Sequence, residues 1–342
     1  MKSNKEVTIY DIAAELNISA ATVSRGLKDH PSINKKTKKR IRETALEMGY
    51  RSNTFASNLR SKRTNTIGVI IPRLNSNFMS AVLSGMEKVA NEASYNLIIS
   101  QSLESAQKEA LNVQTMFNNR VDGIMVSLAY DTTDTSHFEL LLKKGIPLLF
   151  FDRVLELPQC TCVMIDNRKA GYEATKHLLE QGCKNIFHIT GQLTRTVYAE
   201  RLSGYKSALQ DFGLEYNEAN VLITRLDEKA GTDAAEKIMA MSSRPDGVFA
   251  SNDTSAVSCM SALKRSGLRI PEDVAFVGFN NDPISRVIEP NLSTINYPGF
   301  EMGQIAAQKL INHLNTENHI NMTDSIILKA ELISRASSRR TL

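Results

Sequence analysis

The chain has 342 residues, 42% of them hydrophobic, with 41 Lys and Arg against 37 Asp and Glu. That length is too great for one small module and suits two or three domains with a substantial core. No run approaches the roughly 20 continuous apolar residues of a membrane helix, and the start MKSNKEVTIYD lacks the apolar stretch of a secretory leader, so no membrane partner and a cytoplasmic location are expected.

The charge is unevenly placed. Residues 1–64 hold 14 Lys and Arg against 6 Asp and Glu, a balance of +8, while residues 65–342 hold 27 against 31, a balance of −4. A basic module ahead of a mildly acidic body points to phosphate contacts. The first predicted helix begins after Thr8, a suitable N-cap, with Ile9, Ile12, Ala13 and Leu16 at i, i+3, i+4 and i+7. Asn17 can take the left-handed conformation that ends it, and Ser19 can cap a second helix whose Val23 and Leu27 face the same small core. Two short helices joined this tightly are helix-turn-helix geometry, in which the second helix lies in the major groove of DNA. A third predicted helix, capped by Asn34 and packed through Ile41, Ala45 and Leu46, carries Lys35, Lys36, Lys38, Lys39, Arg40 and Arg42. That run serves phosphate contact, a solvated face, or both.

Residues 54–65 follow as a linker able to become a helix, with Phe55, Ala56 and Leu59 on one face. It is too short and polar to be stable alone and should fold only against a partner. A leucine at its centre can wedge between base steps from the minor groove; packing against the adjoining domain is the other reading of Leu59.

From Thr66 onward, short apolar runs alternate with amphipathic helical stretches. The runs are 66–71, 96–100, 123–128, 147–151, 163–165, 186–190, 221–224, 247–250, 274–279 and 325–328. Helical patterns lie near 78–93, 104–118, 135–144, 168–181, 198–212, 229–241, 254–266 and 299–315. This alternation predicts parallel sheets covered on both faces. Irregular stretches near 152–167 and 280–298 break it into two α/β lobes, and ligands bind such sheets outside the carboxyl ends of the strands. The cysteines at 160, 162, 183 and 259 lack metal or redox spacing and are expected to be reduced thiols, and the histidines at 30, 137, 177, 188, 313 and 319 form no ligand-spaced cluster. Neither a metal nor a cofactor is expected.

Taken together, the chain resembles the lactose/galactose repressor family of bacterial transcription regulators. The marks are Thr8-x-x-Asp11-Ile12-Ala13, Ser19-x-x-Thr22-Val23-Ser24-Arg25, Leu46-x-x-Gly49-Tyr50 and Ile67-Gly68-Val69-Ile70 in the first part. The body adds Asp122-Gly123-Ile124, Gly204-Tyr205, Pro245-Asp246-Gly247-Val248-Phe249-Ala250-x-Asn252-Asp253, Ile270-Pro271-x-Asp273-Val274-Ala275-Phe276-Val277-Gly278-Phe279 and Leu292-Ser293-Thr294-Ile295. The resemblance implies an all-α helix-turn-helix domain at 1–52, a hinge at 53–65, and a two-lobed body at 66–342 like a periplasmic binding protein. The first lobe would comprise 66–163 and 294–323, the second 164–293 and 324–342.

It also implies a regulator, most often a repressor, that binds pseudo-palindromic operator DNA as a homodimer and senses a small molecule, here a sugar or sugar derivative. Effectors in such proteins either release or recruit DNA, and both directions stay open. Ala20, Ala21 and Arg25 match base-reading positions; the alanines offer only methyl contacts to thymine, and Arg25 can pair bidentately with guanine. Thr22 and Ser24 match phosphate or capping groups, and Thr8, Ser19 and Asn34 join the DNA-contacting set at the helix starts. Asn53, Ala56 and Leu59 match the hinge positions. For the effector, Arg201, Asn252 and Asn280 match ligand-binding positions, with Phe78 and Asp152 as further contacts; the plainer readings are a surface pairing of Arg201 with Glu200 or Asp253, a helix cap for Asn252 and a core place for Phe78. Asn280 departs from the family's frequent aspartate, and Leu226 stands where some members place a stacking aromatic. Residues 334–342 are basic and polar without a leucine heptad, which favours a dimer over a tetramer.

Other readings differ in particular features. An enzyme would need a motif such as G-x-S-x-G, H-E-x-x-H or a Walker loop, and the sequence holds none. A transport-type binding protein would share the body and not the basic reader. An architectural DNA protein would need no ligand cleft.

Overall fold

The computed structural model describes residues 7–50, 63–316 and 324–340. The chain divides into two compact units, 1–64 and 65–342. The first contains α1 (Ile9–Leu16), α2 (Ala20–Leu27) and α3 (Lys35–Glu47). Ile12, Ala13, Val23, Ile41 and Ala45 form its core. With so little apolar area available, the helix ends carry much of the local order. Thr8 and Asp11 form a reciprocal capping box, Asn17 closes α1 at φ 53°, and the Ser19 and Asn34 side chains accept from Thr22 N and Thr37 N. Leu46, expected on the buried face of α3, is instead 84% exposed. It stands one position beyond Ala45, and the helical period turns it away from a core only three helices wide.

In the second unit the order is β1 (Thr66–Ile71), α4 (Asn77–Glu92), β2 (Asn96–Gln101), α5 (Ala106–Asn118), β3 (Gly123–Val126), α6 (Glu139–Lys143), β4 (Leu148–Phe151) and β5 (Thr161–Ile165). Then come α7 (Asn167–Glu180), β6 (Ile186–Thr190), α8 (Thr196–Asp211), β7 (Val221–Ile223), α9 (Glu228–Ala240), β8 (Gly247–Ala250), α10 (Asp253–Arg265) and β9 (Ala275–Asn280). The chain ends with α11 (Ile284–Val287), β10 (Ser293–Asn296), α12 (Gly299–Asn315), β11 (Ser325–Leu328) and β12 (Glu331–Ile333). Two six-stranded sheets result, ordered β11-β5-β4-β3-β1-β2 and β12-β10-β9-β8-β6-β7. Every pairing is parallel except β10 with β12. The central strands β3, β4, β8 and β9 are almost entirely apolar because helices cover both faces; the edge strand β2 is half exposed.

Sheet membership corrects the expected lobe boundaries. The whole of β5, through Ile165, belongs to the first sheet, and β10, from Ser293, to the second. β11 pairs with β5 in the first sheet, although residues from 324 onward were expected in the second lobe. The chain therefore crosses between lobes near 166, near 298 and at 329–330. The tail after β12 is tied to the second lobe: Ser337 Oγ donates to Phe276 O at 2.8 Å and accepts from Ser293 N at 2.8 Å, and Arg340 donates to Asp246 O at 2.6 Å. None of the helices of the described residues is long and apolar enough to cross a membrane.

Helices α4 and α12 approach closely where Gly85 faces the Phe300 carbonyl and Gly303 faces the Val82 carbonyl. A Cβ at Gly303 would overlap that oxygen, so Gly303→Ala is expected to cost about 1 to 3 kcal/mol through forced separation of the pair. Urea unfolding of the full chain reads this as a lower midpoint at unchanged slope. An unchanged midpoint would show that the helices can part freely.

Candidate functional site

Two sites emerge, one in each unit. In the first, α2 turns Ala21 and Arg25 outward, while Ala20, Thr22 and Ser24 are half-buried and Val23 and Gly26 are fully inside. Thr8, Ser19 and Asn34 all have committed side chains. Thr8 Oγ1 donates to Asp11 Oδ2 at 2.6 Å, Ser19 Oγ lies 2.8 Å from the Thr22 hydroxyl, and Asn34 Oδ1 accepts from Thr37 N at 2.8 Å. Their structural role is to cap, which presents three helix N-termini with their partial positive charge. The basic run of α3 divides. Lys38 and Arg42 both pair with Asp29, at 3.0 and 3.1 Å, and Lys39 with Glu43 at 3.7 Å. The Lys38 ammonium beside it holds the Asp29 carboxyl below its usual range. Among the described residues Lys35, Lys36 and Arg40 enter no ion pair, so their charge is not offset locally. The hinge positions Asn53, Ala56 and Leu59 lie outside the described residues.

The second site is a cavity of about 720 Å³ between the carboxyl ends of the two sheets. Phe78, Asp152, Arg201, Asn252 and Asn280 all line it. Four lining residues, Glu104, Asp152, Leu226 and Asn280, are non-glycine residues at positive φ (65°, 58°, 57° and 109°), and each follows or ends a different strand. Left-handed backbone of this kind costs free energy and persists where surrounding structure fixes it, most often at ligand sites.

Arg201 is placed by the close contact of α7 and α8, where Gly171 lies against the Arg201 carbonyl and Gly204 against that of Arg168. Its side chain is 3% exposed; Nε donates to Asn167 Oδ1 at 2.9 Å and Nη1 to Ser251 O at 3.1 Å. Cζ sits 3.6 Å from the centre of the Phe279 ring. Burial lowers the basicity of this guanidinium. The pairing with Glu200 or Asp253 that the sequence also allowed does not occur. Asp152 accepts from Tyr297 Oη at 2.8 Å and from Ser127 Oγ at 3.1 Å. Asn252 caps α10, accepting from Ser255 N at 3.0 Å, and its Nδ2 donates to Leu226 O at 2.7 Å. Asn280 hydrogen-bonds the Asp282 carboxylate, whose pKa burial pushes up to about 6. Beneath it, Asp253 is fully buried and pushed up by burial to about 8 while accepting from Thr294 Oγ1 at 2.7 Å. Phe78 stacks on Tyr297 at 4.1 Å between ring centres.

The sequence reading missed Glu104, Tyr130, Arg153, Tyr198, Asp282 and Tyr297. Arg153 Nη1 donates to Glu104 Oε2 at 2.7 Å, and Nη2 donates to Tyr198 Oη at 3.2 Å. The Tyr130 and Tyr198 hydroxyls are 3.1 Å apart. Tyr130 and Arg153 belong to the first lobe and Tyr198 to the second, so these bonds join the lobes at the cavity wall. Arg195 adds a bond from the second lobe to Thr132 O. The signal available beforehand was position: several missed residues fall just beyond the carboxyl end of a predicted strand.

Comparison with known proteins gives one family description for each unit. Residues 8–53 match the family described as bacterial regulatory proteins, lacI family, and residues 175–338 match a periplasmic binding protein-like domain. The chain is 32% identical to catabolite control protein A of Priestia megaterium over 91% of its own length and 93% of that protein. It is 29% identical to the ribose operon repressor of Haemophilus influenzae, covering 96% and 98%. Among solved structures, a complex of the transcriptional regulator CelR with cellobiose superposes with TM-score 0.74 at 25% identity, covering 97% of this chain and 100% of that one. The lac repressor dimer bound to operator and the anti-inducer ONPF shares the fold, with TM-score 0.86 at 21% identity over 98% and 99%. This chain belongs to the lacI family of bacterial regulatory proteins, whose members named here are transcription regulators.

Proposed function

We propose that this regulator acts as a homodimeric repressor, reading operator DNA through Arg25 and its neighbours on α2, with a sugar or sugar derivative held between the lobes as its effector. The observation that carries the effector half is the cavity itself. Residues from the strand ends of both sheets meet around it, so a ligand there touches both lobes at once. The ribose operon repressor and the CelR–cellobiose complex among similar proteins support a carbohydrate. Planar guanidinium donors, amides and stacked rings are the groups that recognise a polyol with an apolar face. Relatives named as regulators and repressors, and the absence of the common catalytic motifs, weigh against an enzyme.

The mechanism follows from the bonds between lobes. Tyr198 and Arg201 stand three positions apart on α8, on one face of the helix. Tyr198 reaches the first lobe and Arg201 faces the cavity, so a ligand that engages Arg201 biases the same helix that holds the lobes together. That is a coupling free energy, reciprocal between ligand and DNA and of order 1 to 3 kcal/mol in ordinary cases.

Thermal unfolding of the full chain against sugars, sugar acids, sugar phosphates and nucleobases tests the effector class. A ligand at a hundredfold excess over its Kd contributes about 2.7 kcal/mol, and a shift confined to nucleobases would sink the carbohydrate reading. Arg25→Ala is expected to weaken specific operator binding by about 1 to 3 kcal/mol and relax base preference. Equal affinity and selectivity in fluorescence anisotropy would remove Arg25 from the base-reading set. For Tyr198→Phe, which keeps the ring and removes the hydroxyl shared by Tyr130 and Arg153, operator titration should show a response to effector altered by about fivefold, roughly 1 kcal/mol for a lost hydrogen bond. An unaltered response would show that coupling runs elsewhere.

A further inference from the structure

We propose that the cleft takes a sugar bearing an anionic group, carboxylate or phosphate, whose oxygens seat on the Arg201 guanidinium; this rests on the carbohydrate reading above and narrows it. A buried cation is ordinarily paired, because removing it from water is costly. The cavity holds two buried arginines and treats them differently. Arg153 has its carboxylate: Glu104 accepts from it at 2.7 Å and lies 3.6 Å from Arg73 as well, so one acid serves two arginines. Arg201, equally buried, enters no ion pair among the described residues, and its two hydrogen bonds go to the neutral oxygens of Asn167 and Ser251.

The carboxylates facing the cavity do not fill that role. Asp152 lies near enough to favour the charged form of Arg201, yet its two oxygens accept from Tyr297 and Ser127. Asp282 is engaged by Asn280 and forms no ion pair with Arg201. Asn280 itself is a neutral amide. Asp227 and Glu228 also line the cavity, Asp227 accepting from Ala230 N at 2.8 Å as a helix cap, and neither forms an ion pair with Arg201. Arg201 therefore retains donor capacity on a guanidinium fork, the group that matches a carboxylate or phosphate bidentately. Arg201 also sits in the second turn of a sixteen-residue helix whose first-turn residues Val197 and Tyr198 line the same cavity, and whose N-terminus has no side-chain cap. The helix dipole adds to the attraction for negative charge at that end.

Isothermal titration of the full chain with isosteric sets tests this. D-glucose, D-glucuronate and D-glucose 6-phosphate form one set, and D-galactose, D-galacturonate and D-galactose 6-phosphate the other, at constant ionic strength. The expected result is at least tenfold tighter binding of an acidic member than of its neutral parent. Tight binding of the uronates alone assigns the anion as carboxylate, and of the phosphates alone as phosphate. Arg201→Gln should abolish the preference, and Arg201→Lys, which keeps the charge, should retain part of it. A neutral sugar binding as tightly as its acids overturns the proposal and leaves the carbohydrate reading standing. So does an acid preference that survives in Arg201→Gln, since the anion then seats elsewhere. If no member of either set binds, the proposal and the carbohydrate reading fail together.

Discussion

The arrangement of the cleft depends on the burial of one guanidinium. Placing Arg201 out of water costs several kcal/mol unless its donors and its charge are matched. The second lobe meets part of that demand with groups from three elements: the Asn167 side chain at the start of α7, the Ser251 carbonyl beyond β8, and the Phe279 ring of β9. Those contacts require α7 and α8 to lie almost backbone to backbone, which only residues without a side chain at 171 and 204 allow. The depth of the cavity, the position of Tyr198 and the direction of the unused donors follow from that contact. The remainder of the match is left to whatever enters the cleft.

The reader domain works under a different constraint. Its core is five buried residues, so capping side chains and the Asp29 ion pairs supply order that apolar area alone cannot. The same ion pairs lower the number of cations available to phosphate. The basic composition of the segment therefore overstates the charge that faces outward, and Lys35, Lys36 and Arg40 carry a larger share than the run suggests.

How much of this was legible beforehand depended on whether the signal was local. The reader helices were plain in the residues, because caps and period-3.6 spacing lie within a few positions of each other. The ten apolar runs of the body correspond to strands, most plainly inside the sheets, where a parallel strand covered on both faces needs a continuous apolar stretch. β10 and β12 escaped notice. Ser293–Asn296 has three polar residues of four, and Glu331–Ile333 is only three residues long and pairs antiparallel at an edge. The crossings between lobes depend on pairings across more than 100 residues, β11 with β5 for one, which local pattern does not encode. In the cleft, the resemblance supplied five lining residues, while Arg153, Glu104 and the tyrosines gain their roles only from contacts between distant segments. Asn252 was legible in both its roles, as a lining residue and as a helix cap.

The third crossing sets a mechanical limit on the body. Only Lys329 and Ala330 separate β11, in the first sheet, from β12, in the second. Chain geometry lets the three Cα steps from Leu328 to Glu331 span no more than roughly 11 Å. With both strands paired, the lobes cannot slide apart along this side by more than that strap permits. Any relative motion that keeps both strands paired stays within that reach on this side. A wider excursion would have to peel β12 off the sheet edge, so this two-residue tether between strands acts as its stop.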